Sequence, residues 1–129
     1  MVRALCIAAL GAALPWSAAP AQGKIISCLF TEPFIGTVYD SRTRTLTVTY
    51  DVDKRREKLS NISISAAGGE TFELRNTNKV TIQRLERSYA GTDGMSDRVF
   101  PYEVTWTPGR RSLPATLFGG CESDTEKAK

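Results

Sequence analysis

The most regular pattern in the chain lies at residues 61–75, NISISAAGGETFELR. Polar and apolar residues alternate in both halves, which is the period of a half-buried β-strand. The apolar positions fall on one strand face: Ile62, Ile64, Ala66, Phe72 and Leu74. Between the halves, Gly68 and Gly69 tolerate the positive φ angles of a tight turn. The stretch therefore predicts a β-hairpin.

The same alternation predicts strands elsewhere, at residues 45–50 (TLTVTY) and 102–106 (YEVTW). Further candidates are residues 25–30, 34–39 and 113–118, with Pro33 as a breaker between the first two. Residues 79–89 also favour a strand, with a helical turn near Leu85. Seven or eight short strands predict an all-β domain, a single small antiparallel barrel or sandwich.

The first 21 residues have the order of a cleavable secretion signal. Arg3 gives a positive start, an apolar run follows, and Ala19-Pro20-Ala21 provides a small-residue cleavage site. A retained membrane anchor is the alternative, but the run is short and interrupted, and a span needs about 20 apolar residues. We expect a signal peptide at 1–21, a β domain at 22–121 and an unstructured charged tail at 122–129.

Cleavage at that site would leave two cysteines, Cys28 and Cys121, because Cys6 lies inside the signal. In an oxidising compartment such a pair usually forms a structural disulfide. A redox-active pair is the alternative, but it typically needs a C-x-x-C spacing. We therefore expect one structural disulfide in a periplasmic or secreted protein.

Charge and composition exclude several classes of function. Without Arg3 the chain has 16 basic and 14 acidic residues, too balanced to predict a nucleic acid or an anionic membrane as partner. The run Lys54-Arg55-Arg56 is interpreted as a solvated loop tip. There is no histidine, which removes the commonest general base and most transition-metal sites. We expect no enzymatic activity and no cofactor.

Two further segments stand out, TEPF at residues 31–34 and DGMSDRVFP at residues 93–101. Asp93 and Gly94 predict a turn, and Asp97 is placed to accept hydrogen bonds from nearby backbone N–H groups. Arg98 could bind the carboxylate of Glu32 in a bidentate pair. The segments form either a loop fixed by its own hydrogen bonds or a rigid loop that binds a ligand or partner.

These motifs, with the Gly-Cys pair at 120–121, resemble a family of small, mostly uncharacterised bacterial envelope proteins, periplasmic or lipoprotein. The resemblance spans residues 28–121 and implies an envelope location and a β-rich fold. Two positions depart from the family pattern. Ile35 stands where an aromatic residue is common, and Thr92 stands where a cysteine is frequent, which leaves one disulfide here.

The expected function is a non-catalytic periplasmic binding or envelope-protection protein, in its sharpest form a lysozyme-inhibitor-like module. Its partner would be a protein or the cell wall, with no stable membrane insertion after signal cleavage. The alternatives are a structural envelope protein without a discrete site, a small-molecule carrier and an enzyme. The candidate binding residues are Glu32, Asp93, Asp97 and Arg98.

Overall fold

A computed structural model describes residues 24–31, 34–51 and 54–129. The predicted signal peptide and Glu32 lie outside these residues. The described residues form nine strands and no helix, and hence no helix that could cross a membrane. The strands are β1 (Ile25–Phe30), β2 (Ile35–Asp40), β3 (Thr45–Tyr50), β4 (Arg55–Leu59), β5 (Ser63–Ala66), β6 (Thr71–Arg75), β7 (Thr81–Gly91), β8 (Phe100–Trp106) and β9 (Leu117–Ser123).

All nine strands belong to one antiparallel sheet in the order β4-β3-β2-β1-β9-β8-β7-β6-β5. The sheet curls into a half-barrel, so the predicted all-β antiparallel class is confirmed. Strands β1–β4 and β5–β8 each form a meander of chain neighbours. Strand β9 lies between the two meanders and pairs with both β1 and β8.

The sequence prediction missed β4, which raises the strand number to nine. Residues 55–59, RREKL, carry four charges in five positions, and the run 54–56 was interpreted as a loop tip. In the structure Arg55 and Arg56 belong to an edge strand that pairs with β3 alone. Basic side chains are common on sheet edges because they discourage pairing with another chain. Charge at this position thus reflects an edge rather than a loop.

The core lies on the concave side of the sheet and follows the alternation seen in the sequence. Its most deeply buried side chains are Tyr39, Leu46, Val48, Leu74, Leu85, Val104, Cys28 and Cys121. The β5–β6 hairpin is confirmed, with positive φ at Gly68 (100°) and Gly69 (54°). Tyr39 donates its hydroxyl proton to the carbonyl of Ile62 over 2.8 Å, which fixes the connection between the two sheet edges.

The predicted disulfide is present between Cys28 on β1 and Cys121 on β9. The two residues are directly opposite each other, with their Cα atoms 4.0 Å apart. Both side chains are buried in the concave core. The bond therefore joins the first strand to the last strand from inside the fold.

Two other expectations about strands were wrong. Strand β7 runs without a helical turn for 11 residues, and Leu85 faces Val104 of β8 in the core. Strand β9 begins at Leu117 rather than at residue 113, and it continues past Cys121. Two glycines lie within β9, whereas the prediction had followed the apolar run at residues 113–118 and ended before these glycines.

Candidate functional site

Residues 92–99 connect β7 to β8 and fold back over the convex face of the sheet; we call this segment the ridge. Its turn is organised by Asp93, whose carboxylate accepts hydrogen bonds from the backbone N–H groups of Met95 (2.9 Å) and Ser96 (2.8 Å). The Ser96 hydroxyl adds another at 2.9 Å. Gly94 follows with a φ of 81°, as the predicted turn requires. The loop is thus fixed by its own hydrogen bonds.

Asp93 was named as a candidate binding residue, and its carboxylate is committed to the turn. The hydrogen bonds from Ser96 and then from Met95 hold the pKa of Asp93 below its ordinary value, although burial opposes them. A general acid needs a raised pKa instead. The bonding assigned from the sequence to Asp97 is therefore made by Asp93. The Asp97 side chain is exposed and has no partner among the described residues.

A second small cluster lies beneath the ridge, on the convex side of β9. Phe100 is almost fully buried there, at 1% exposure, although it does not belong to the concave core. Its ring lies on Gly120, where an added Cβ atom would come within 2.6 Å of the ring. An added Cβ atom at Gly91 would come even closer, within 2.1 Å of the backbone carbonyl oxygen of Tyr102. Glycine at these two positions lets the ridge approach the sheet.

The two sequence motifs meet through Thr31. The Thr31 hydroxyl donates a hydrogen bond to the backbone carbonyl of Asp93. An added Cβ atom at Gly94 would lie 2.5 Å from that hydroxyl oxygen, so the turn fits closely against Thr31. The TEPF segment therefore contacts the DGMSDR segment, by a residue that the sequence interpretation did not single out.

The proposed Glu32–Arg98 pair lies partly outside the described residues because Glu32 is not among them. The Arg98 guanidinium instead contacts Glu122, with Nη2 at 3.2 Å and 3.3 Å from the two carboxylate oxygens. It also lies 5.0 Å from the centre of the Phe100 ring. The Arg98 side chain is 45% exposed, which makes this an exposed ion pair. Glu122 was missed because it was assigned to the unstructured tail.

The charged segment 122–129, which was expected to be unstructured, contacts the sheet and the ridge in the structure. The Arg87 guanidinium binds the two carboxylate oxygens of Glu126 at 2.6 Å and 2.7 Å, and the Tyr102 hydroxyl donates to the same carboxylate at 2.9 Å. Lys129 exchanges two backbone hydrogen bonds with Val99, at 2.9 Å and 3.0 Å. The amino-acid composition of the segment did not predict these contacts, because ion pairs and backbone hydrogen bonds need no large apolar side chains.

Two grooves flank the ridge, and both are lined by Thr31 and Asp93. The acidic groove has a volume of about 490 Å³ and lies over β7, β8 and β9. It is lined on the sheet side by Arg84, Glu86, Glu103, Thr105 and Phe118. The apolar groove, about 280 Å³, lies over β1 and β2 and is lined by Leu29, Phe34 and Met95.

Large apolar side chains are exposed around these grooves. Phe118 is 71% exposed and Met95 is 64% exposed, with smaller exposed fractions for Leu29, Phe34 and Val99. Scattered apolar side chains are normal on a protein surface, whereas large contiguous apolar patches are typical of interaction surfaces. Five of the ten exposed large apolar side chains among the described residues therefore lie at the ridge and its grooves.

No protein-family model, curated protein or solved structure matches this chain. Within the described ranges, no three cysteine or acidic side chains are arranged to hold a metal ion. The chemistry that the site can perform is thus inferred from its own residues. Those residues offer carboxylates, hydroxyl groups and exposed apolar surface on a rigid frame.

Proposed function

We propose that the protein is a non-catalytic binding protein of the bacterial envelope that presents the ridge and its two grooves to a protein or cell-wall partner. The observation that carries the proposal is the interlocked ridge itself. Hydrogen bonds from Thr31 and within the Asp93 turn fix a loop that has exposed apolar side chains on both sides. A rigid loop binds with a smaller loss of conformational entropy than a mobile one.

The envelope location is supported by three observations of different kinds. The sequence begins with the pattern of a secretion signal. The buried Cys28–Cys121 disulfide is compatible with an oxidising, extracytoplasmic compartment. The motif resemblance implies the same location.

A small-molecule carrier is less well supported than a surface binder. A carrier of this fold would use the concave side, where Tyr39, Leu74 and Trp106 are among the buried side chains that fill the half-barrel. The space between Ile26 and Phe72 on that side amounts to about 10 Å³, roughly enough for one water molecule. The larger grooves lie on the convex face.

The sharpest form of the proposal, a lysozyme-inhibitor-like protein, and the cell-wall form can be tested side by side. Purified protein lacking residues 1–21 would be assayed for inhibition of a c-type lysozyme and for co-sedimentation with peptidoglycan. A Phe118→Ser, Met95→Ser variant removes apolar surface at the ridge. Val80→Ser is the matched control, because Val80 is 55% exposed and lines neither groove.

We expect the native protein and the Val80→Ser control to bind one of the two partners, and the ridge variant to bind it at least tenfold more weakly. Equal binding by the ridge variant would place the binding surface elsewhere. A native protein that binds neither partner, and that leaves lysozyme active, would favour the structural envelope protein over a binding protein.

A further inference from the structure

The acidic groove carries a charge opposite to that of the whole protein. Of its four charged lining residues, three are acidic (Glu86, Asp93 and Glu103) and one, Arg84, is basic. The complete chain has 17 basic and 14 acidic residues. The groove is therefore a local acidic region on a slightly basic protein.

Two of these carboxylates directly oppose each other. Glu86 on β7 pairs in register with Glu103 on β8, and both side chains project from the convex face. Like charges at directly opposite positions destabilise a sheet. Arg84, the one basic residue among those that line the groove, lies 3.0 Å from Glu73 and 3.6 Å from Glu86, so it is shared. The pair costs stability in the free protein, and a cation from outside would offset that cost.

The exposed aromatic ring of Phe118 lies at a fixed spacing from this pair. On the paired strands β8 and β9, Glu103 is opposite Gly120, whereas Phe118 is opposite Thr105. The rows of Glu103 and Phe118 are thus two residues apart, about 7 Å along the strands. Because the two residues lie on adjacent strands, which are about 4.8 Å apart, their Cα atoms are separated by about 8 Å. An extended peptide places its side chains i and i+2 on one face about 7 Å apart, which is close to this separation.

From this match we infer that the acidic groove binds an extended segment of another protein that carries Lys or Arg two residues from an aromatic or large apolar residue. The inference rests on the proposed binding function and names its partner class. The cation would lie between Glu86 and Glu103, and the apolar residue would pack on Phe118. Charge complementarity of this kind sets specificity and association rate.

A second copy of this chain fits the groove less well. Its most basic strand is β4, a sheet edge, and docking β4 into the groove would join two different surfaces. Such head-to-tail contacts do not close, and they build open-ended assemblies. The inference therefore commits to a different protein.

The test uses a fluorescein-labelled heptapeptide, GKSFSKG, in which Lys and Phe share one face of an extended chain. Two comparison peptides are GESFSEG, with reversed charge, and GKFSSKG, with Phe moved to the other face. Fluorescence anisotropy on the native protein at low ionic strength measures affinity. We expect GKSFSKG to bind at least tenfold more tightly than GESFSEG and severalfold more tightly than GKFSSKG.

Substitutions in the protein test whether the peptide GKSFSKG binds in the acidic groove. Glu86→Gln with Glu103→Gln should weaken GKSFSKG binding by roughly tenfold, and Phe118→Ser by a similar factor. The matched control, Asp40→Asn with Asp124→Asn, changes the net charge equally but lies outside both grooves, and it should change affinity less than about twofold. All three side chains that are changed in the groove are exposed, so the variants should fold.

Equal affinity for GKSFSKG and GESFSEG would overturn the inference, as would equal losses in the groove variant and the charge control. Concentration-dependent self-association that the groove variant abolishes would also overturn it, because the occupant would then be a second copy. Failure of the peptide alongside ridge-dependent binding to lysozyme or peptidoglycan would remove this partner class and leave the proposed function standing.

Discussion

The concave and convex faces of the sheet are built by different rules. The concave face is filled by alternating apolar side chains such as Leu46 and Val104, and its disulfide links two of them in register. The convex face is covered over part of its area by the ridge, which rests on glycines and hydrogen bonds. The concave face stabilises the fold through burial of apolar side chains, and the convex face holds the ridge in place on the protein surface. Substitutions on the two faces should consequently have different measurable effects.

The largest effect is expected from the concave face. Replacing Cys28 and Cys121 by serine should lower the free energy of unfolding by about 2–5 kcal/mol, because the bond closes a loop across most of the domain. Urea denaturation of the variant, beside native protein with and without reductant, measures this. Titration of two free thiols in the oxidised native protein would contradict the prediction.

Alanine substitutions at two glycines distinguish a steric clash at one position from the general effect of replacing glycine in a strand. Gly120→Ala should lower the free energy of unfolding by about 2 kcal/mol, because its Cβ would collide with the Phe100 ring. Gly36→Ala is the matched control, since its Cβ would lie 3.6 Å from Leu29, an ordinary contact. We expect the control to change stability by less than about 0.5 kcal/mol.

The same pair should differ in ridge structure as well as in stability. Relative to the native protein, the backbone NMR chemical shifts of residues 92–99 should change in the Gly120→Ala variant and remain the same in the Gly36→Ala variant. Equal stabilities of the two variants would show that Phe100 can move without cost, and the ridge would then not depend on the glycine.

The Asp93 turn should depend on pH. Asp93→Asn should cost about 1–2 kcal/mol at pH 7, because a neutral amide is a weaker acceptor for the N–H groups of Met95 and Ser96. The pKa of Asp93 is lowered in the folded protein, so its charged form stabilises the fold above the unfolded-state pKa of about 3.9. That contribution is lost as the pH falls below this value.

Urea midpoints of the native protein and the Asp93→Asn variant should therefore converge as the pH falls below about 4. Asp97→Asn removes a carboxylate in the same loop that has no partner among the described residues, and this variant should follow the native curve. A difference between the native and Asp93→Asn midpoints that does not narrow below about pH 4 would exclude the charge of Asp93 as the cause.

The smallest effect is expected at Arg98. Arg98→Ala should cost less than about 1 kcal/mol, because its pair with Glu122 is exposed to solvent. The difference should shrink in 1 M salt. A cost clearly above that range would instead support a buried partner, as the Glu32 interpretation supposed. Thermal unfolding at two salt concentrations distinguishes the two.

The concave face could be predicted from the sequence because burial imposes a period of two. Residues 61–75 illustrate this, since Phe72 and Leu74 lie on the predicted side and the glycine turn adopts the expected angles. Strand β4 escaped prediction because an edge strand buries little and its charges protect the edge. Nothing in its local pattern separates it from a loop.

The convex face was predicted in part. The turn at Asp93 and Gly94 has a local signal, and it was found. The contacts of Thr31 with Asp93 and of Phe100 with Gly120 join residues far apart in sequence, so no local pattern reports them. The acidic groove was missed because Glu86, Glu103 and Phe118 come together only through strand register.

The position of β9 has a consequence for how the protein is made. Each meander can form from local hairpins as the chain emerges, but β1 and β8 acquire their shared neighbour only when β9 arrives. Cys121 arrives with it, so the disulfide cannot form until β9 has been synthesised. A chain that still lacks β9 would hold two half-sheets with open edges, and formation of the disulfide would report that the two have been joined.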